Sequence, residues 1–165
     1  MLIIELNGLP GSGKTTITER IIHELNQNNL KIMSLKDIIY FKKNFFDNKI
    51  GQIFKSFFSY NCLIFNYYTL KLVKESGFSI ERIKYSMRLI KLNYQIKRVI
   101  KSERIDILIL DEGYVQYITS IPHNKKIIKE ISVKKIYDYI TKSYFNIRFI
   151  NCNLPIEYAL YRSKN

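Results

Sequence analysis

The chain has 165 residues, a length that holds one domain, and a formal net charge of +13. At 47% hydrophobic and 25% charged residues it can bury a sizeable core, which argues against disorder. Six glycines and three prolines exclude collagen-like and linker-like chains.

The first apolar run, Leu2 to Asn7, reads as a buried strand that ends in a glycine-rich turn. Glu5 interrupts that run and no basic flank precedes it, so a signal peptide is not expected and a cytoplasmic location is. Thr15 to Asn28 reads as a helix, with Ile17, Ile21, Ile22 and Leu25 at helical spacing. Leu30 to Leu35 is a second strand candidate. Residues 52–74 look helical and rich in aromatics, and Ile83, Met87, Ile90 and Tyr94 set a second helix over about 81–101. Ile105 to Leu110 and Ile147 to Cys152 are the third and fourth strands. Alternating apolar strands and helices imply a parallel sheet covered by helices on both faces.

Ser56 to Leu70 is the longest charge-free run; it has fifteen residues and contains Ser56, Ser59, Asn61 and Asn66. It falls short of the roughly 18 apolar residues of a spanning helix, so no membrane span is expected. Cys62 and Cys152 have no metal or disulfide spacing and read as packed free thiols. Residues 31–104 carry sixteen basic against five acidic residues, a net of +11. That excess attracts an anion or reflects lysine drift in a chain where twenty of 27 basic residues are Lys; composition leaves both open. Eleven aromatics within residues 40–68 could stack on a ring-shaped substrate, but more often form the core of their own segment.

The most specific signal is Gly8-Leu9-Pro10-Gly11-Ser12-Gly13-Lys14-Thr15, followed by Thr16. It fits G-x-x-x-x-G-K-[ST] without a mismatch. The glycines let the backbone wrap phosphate oxygens, the following helix adds its positive end, Lys14 reaches the β- and γ-phosphates, and the Thr15 hydroxyl binds Mg²⁺. The third strand ends in Asp111-Glu112-Gly113. Asp111 is the natural outer ligand of Mg²⁺, through water, and Glu112 could orient a water, the metal or a substrate. Asp37 could accept a proton from an attacking hydroxyl, or cap the following helix. His23 and His123 sit in no recognisable pattern.

At these residues the chain resembles the P-loop nucleoside and nucleotide kinases of the P-loop NTPase superfamily. The form Gly-x-Pro-Gly-Ser-Gly-Lys-Thr of residues 8–15 is similar to the loops of adenylate-kinase-like enzymes. The resemblance implies an α/β, three-layer P-loop NTPase fold with a parallel sheet, the loop strand central, helices on both faces and a helical insert between strands 2 and 3. It implies one domain over 1–165, with a core of 1–37 and 105–165 and an acceptor-binding insert of 38–104. It also implies ATP and Mg²⁺ as cofactors, Asp37 at an acidic-base position, and Arg162 as a lid arginine on the ATP phosphates. Arg82, Arg88 and Lys91 could contact an anionic acceptor or form a solvated face. The chain stops three residues past Arg162, so a C-terminal lid and a fifth strand are expected to be absent.

The leading functional reading is a kinase that transfers the γ-phosphate of Mg·ATP to a small nucleoside, nucleotide or other hydroxyl-bearing acceptor, anionic or aromatic. The alternatives are a P-loop ATPase coupled to nucleic acid or another macromolecule, and a nucleotide binder that does not turn over. Nucleic acid is not favoured as a partner, and the oligomeric state is open. Asn124-Lys125-Lys126 lacks the acid of a guanine-recognition motif.

Overall fold

The computed structural model describes residues 1–26, 29–40, 49–102, 104–122, 130–144, 146–153 and 155. Among them, four strands form one sheet: β1 (Leu2–Asn7), β2 (Ile32–Ser34), β3 (Ile107–Leu110) and β4 (Ile147–Asn151). Their order is β2-β3-β1-β4, and every pairing is parallel. The expected parallel α/β sheet with an interior loop strand is therefore what forms. The register sets Glu5 beside Leu110 and Asn7 beside Asn151.

Strand alternation sends side chains to two different layers. Leu6, Ile107 and Ile109 face Ile21, Ile22 and Leu25 of α1 (Lys14–Asn26). Ile3, Leu108 and Leu110 face the opposite layer. That layer holds α2 (Leu35–Tyr40), α4 (Leu63–Ser76), α5 (Ile80–Ser102), α6 (Tyr114–Ser120) and α7 (Glu130–Ser143). Helices thus cover both faces. β3 is buried along its whole length, as a central parallel strand requires.

The helix expected over 52–74 is two helices, and its start and end both move. α3 (Lys49–Phe58) is separated from α4 by a single 3-10 turn, Tyr60–Cys62. The chain turns extended at Ser59 (φ −68°, ψ 115°). The buried Asn66 side chain stabilises the break: its amide donates to the carbonyls of Ser56 (2.8 Å) and Phe57 (3.2 Å), two of the orphan acceptors at the end of α3. Gly77, at φ 86°, ends α4 in a conformation that glycine adopts without strain. β1, α1, β2, α5, β3 and β4 match expectation within a few residues, whereas the sequence pattern gives no expectation for α2, α6 or α7.

The aromatic segment divides. Phe65 is fully buried at the centre of the large core, whereas Phe58, Tyr60 and Tyr67 are exposed. The side chains of Tyr40, Phe41, Phe45, Phe46 and Phe54 lie outside the described residues. Both cysteines are free, Cys62 buried and Cys152 half-buried.

A polar knot ties the helical layer together. The carbonyl oxygen of buried Asn93 accepts from the hydroxyls of Tyr114 (3.2 Å) and Tyr144 (3.1 Å), and its amide faces the Cys62 sulfur at 3.5 Å. Burial raises both tyrosine pKa values well above their ordinary range. Asn93→Ala would strip an acceptor from two buried hydroxyls and leave a void. We expect a loss of about 2–4 kcal/mol of stability, read as a shift in the urea midpoint with an unchanged slope.

Candidate functional site

The loop between β1 and α1 follows directly from its residues. Gly8, Gly11 and Gly13 have φ values of 156°, 78° and 84°. Gly8 also lacks room for any side chain: a Cβ there would meet the Ser12 hydroxyl at 2.6 Å and the Cys152 carbonyl at 2.7 Å. The first intrahelical bond of α1 runs from the Ile17 N–H to the Gly13 carbonyl (2.9 Å). The amides of Lys14, Thr15 and Thr16 are therefore not used within the helix and, with the helix dipole, favour an anion.

Lys14 folds back over this loop. Its ammonium donates to the carbonyls of Gly8 (2.7 Å) and Leu9 (3.0 Å). A cleft of about 410 Å³ opens here, lined by Pro10, Gly11, Ser12, Gly13, Lys14, Thr15 and Thr16 on one side and by Asp111 and Glu112 on the other. Loop residues Pro10 to Thr16 and the two acids that follow β3 thus share one cleft, which Gly8 and Leu9 do not line. A narrower recess of about 50 Å³ also brings Thr15 and Asp111 together, beside Ser34 and Lys36. The Ser12 hydroxyl is buried, with no hydrogen-bond partner among the described residues.

Thr15 and Asp111 offer hard oxygen donors side by side. No group of three or more His, Cys, Asp or Glu side chains that could hold a metal occurs among the described residues. A protein-only metal cage is thus not what this cleft offers. It suits a small cation that keeps waters and takes its remaining oxygens from a phosphate, as Mg²⁺ does.

Glu112 is exposed and accepts from the Tyr117 hydroxyl at 3.4 Å. Burial, and next the Glu112 charge, push the Tyr117 phenol up to about 12, while Arg88 opposes them. The phenol is therefore a donor at neutral pH, and it holds Glu112 from the α6 side.

Asp37 follows the end of β2 by three residues. It lies in the first turn of α2, where its carboxylate accepts from the Ser34 N–H (2.7 Å) and hydroxyl (2.8 Å), and the Ser34 hydroxyl accepts from the Asp37 N–H (3.3 Å). This reciprocal pair is a capping box. Asp37 does not line the loop cleft, although Ser34 and Lys36 border its recess. Arg82 is likewise committed: its guanidinium donates to the carbonyls of Ile121 (3.1 Å) and Gly77 (3.1 Å), tying α5 to the end of α6. Arg88 lies over the Tyr85 ring at 5.7 Å and is exposed. Arg162 lies outside the described residues.

Sequence reading assigned no role to Glu5, a charged residue fully buried at this end of the sheet. Its carboxylate is fully buried and accepts from the N–H groups of Tyr114 (2.9 Å) and Val115 (2.6 Å). Burial raises its pKa from 4.5 to about 7, against the backbone amides that favour the charge. A charged residue inside an apolar run was the available signal.

Among the described residues no helix is long and apolar enough to cross a membrane. No model of a known protein family matches the chain, and no curated protein does. Among solved structures, it is similar to a deoxyadenosine kinase from M. mycoides with bound dATP, at 15% identity and a TM-score of 0.43, over 100% of this chain and 71% of that one. A likeness of that size assigns neither an activity nor a substrate.

Proposed function

We propose that the chain is a P-loop phosphotransferase that moves the γ-phosphate of Mg·ATP to a small acceptor bearing a hydroxyl or phosphate. One observation supports this above the others: Pro10 to Thr16 of the glycine-rich loop and the Asp111–Glu112 pair line the same cleft. The loop amides and Lys14 bind and neutralise the triphosphate, and the Thr15 hydroxyl and Asp111 carboxylate hold Mg²⁺. When bound, Mg²⁺ neutralises charge that develops on the transferred group. Lys14 leaves the Gly8 and Leu9 carbonyls to donate to phosphate oxygens, an exchange of two neutral acceptors for charged ones. Glu112, held by Tyr117, stands on the acceptor side, where it accepts a hydrogen bond from the incoming hydroxyl. Arg162 adds a second cation at the phosphates. The proposal covers one domain, with 38–104 as the acceptor-binding part.

The test is ADP formation from Mg·ATP by the purified chain, alone and with pools of nucleosides, nucleoside monophosphates and small sugars or alcohols. Turnover that rises with one pool establishes a kinase and its acceptor class. Acceptor-independent turnover favours an ATPase, and no turnover with any pool overturns the phosphotransferase reading.

The capping box sets the expectation for Asp37. Asp37→Asn keeps the fold at a cost of about 1 kcal/mol and leaves transfer within threefold of the parent. A loss of transfer beyond tenfold at an unchanged melting temperature would assign Asp37 the base role instead. Arg162→Ala is expected to lower kcat at least tenfold with the fold intact, read in the same ADP assay.

A further inference from the structure

Glu5 is not needed by any step of the phosphoryl transfer, yet it occupies a singular position. It lies on β1, three residues before the loop begins, and its Cα is registered with Leu110, the residue before Asp111. Its side chain crosses from β1 to the far end of the Asp111-Glu112-Gly113 turn and accepts the first two N–H groups of α6. Gly113 closes against it: a Cβ at that position would sit 2.4 Å from the Glu5 Cδ and 2.6 Å from an Oε. Gly113 has an ordinary extended backbone (φ −138°, ψ −150°), so what needs glycine here is the close approach of Glu5.

Most helix starts are satisfied by a residue of their own chain segment. Here the acceptor comes from another strand, 109 residues away in sequence, and it is the strand that carries the loop. Ile3, on the same face of β1, is packed in apolar core, but an apolar side chain at position 5 would leave the Tyr114 and Val115 N–H groups without this acceptor. A buried carboxylate that spans the two halves of a cleft does something an apolar side chain cannot: it fixes their separation through two directional bonds.

Resting on the phosphotransferase reading, we propose that Glu5 is a positioning residue, whose two bonds to the start of α6 hold Asp111 and Glu112 at their places across the cleft from the Gly8–Thr15 loop. Glu5 touches no substrate in this role. It acts through the turn, so its removal loosens the acids while the loop itself remains formed. Nucleotide affinity, carried by the loop, is retained, and the chemistry that needs Asp111 and Glu112 in register suffers.

The experiment compares the full chain with Glu5→Gln and Gly113→Ala, which attack the same contact from its two sides. Hydrogen exchange of the nucleotide-free proteins comes first. The amides of Tyr114 and Val115 are expected to exchange at least tenfold faster in both variants, while Ile3 and Leu108 in the sheet keep parent rates. Unchanged exchange at Tyr114 and Val115 overturns the clamp, whatever the enzyme does. Steady-state turnover comes second: kcat should fall tenfold or more, with KM for ATP within threefold. Faster amide exchange with kcat and KM both unchanged makes Glu5 a fold support only and overturns the positioning role. If the parent turns over no ATP, it is the phosphotransferase reading that fails. The positioning claim is then read from Mg²⁺-dependent binding of a non-hydrolysable ATP analogue. It stands if Glu5→Gln weakens the Mg²⁺ contribution at least fivefold and falls if it does not.

Discussion

Lys14→Ala is expected to reduce ADP formation by at least 10²–10³-fold, the scale on which loss of one pre-organised donor to a developing negative charge is felt. The side chain has little else to do in the fold. Its ammonium bonds only Gly8 and Leu9 carbonyls among the described residues, both exposed parts of the same loop. Circular dichroism and the melting temperature should therefore stay near the parent values, and a loss of activity cannot be blamed on unfolding. Two effects add. The variant loses a unit positive charge at the phosphates, and it loses the donors that the ammonium would give to their oxygens. Nucleotide affinity should weaken less than turnover, because the amides of Lys14, Thr15 and Thr16 remain available at the start of α1 whatever the side chain. Turnover within threefold of the parent would show that the Gly8–Thr15 loop is not the catalytic phosphate site.

Where sequence reading succeeded, a short local signal was enough. The loop is legible because each fixed position answers to backbone geometry or to a phosphate, and neither needs tertiary context. The apolar run Ile107–Leu110 reads as a strand because it is buried on both faces. The cap alternative for Asp37 is local as well: Ser34 and Asp37 stand three residues apart, and the start of α2 at Leu35 makes them a capping box. The rest turns on partners outside the local pattern. Arg82 resembles an anion ligand until Ile121 and Gly77 bring their carbonyls to it. The break at Ser59 depends on Asn66, whose polar side chain sits inside a helical, aromatic-rich pattern and reads as a mere interruption. Glu5 is the extreme case: its partners are 109 and 110 positions along the chain, and no periodicity carries that information.

The buried Glu5 carboxyl should also leave a signature in stability against pH, and the sign follows from its environment. Its folded pKa is raised to about 7 from an ordinary 4.5, chiefly because burial penalises the charged form. Below pH 4.5 both the folded and the unfolded chain carry the proton, and Glu5 contributes no slope. Between 4.5 and about 7 the unfolded chain releases the proton while the folded chain keeps it. Rising pH therefore favours unfolding in this window. At about 1.4 kcal/mol for each pH unit that the window spans, stability lost by way of this one group reaches about 3 kcal/mol near pH 7 and then levels off. That is a large share of the roughly 5–15 kcal/mol that holds an ordinary domain together. Asp and Glu side chains that form favourable pairs give the opposite slope, so the parent curve alone does not isolate Glu5. The difference between parent and Glu5→Gln does, because Gln does not titrate. Urea unfolding of both at about pH 5 and about pH 7.5 should show the parent losing about 2.5 kcal/mol more than the variant over that interval. Parallel pH profiles would mean that Glu5 ionises in the folded chain as readily as in water. Its carboxylate would then be fully stabilised by the Tyr114 and Val115 amides, with no net penalty left from burial.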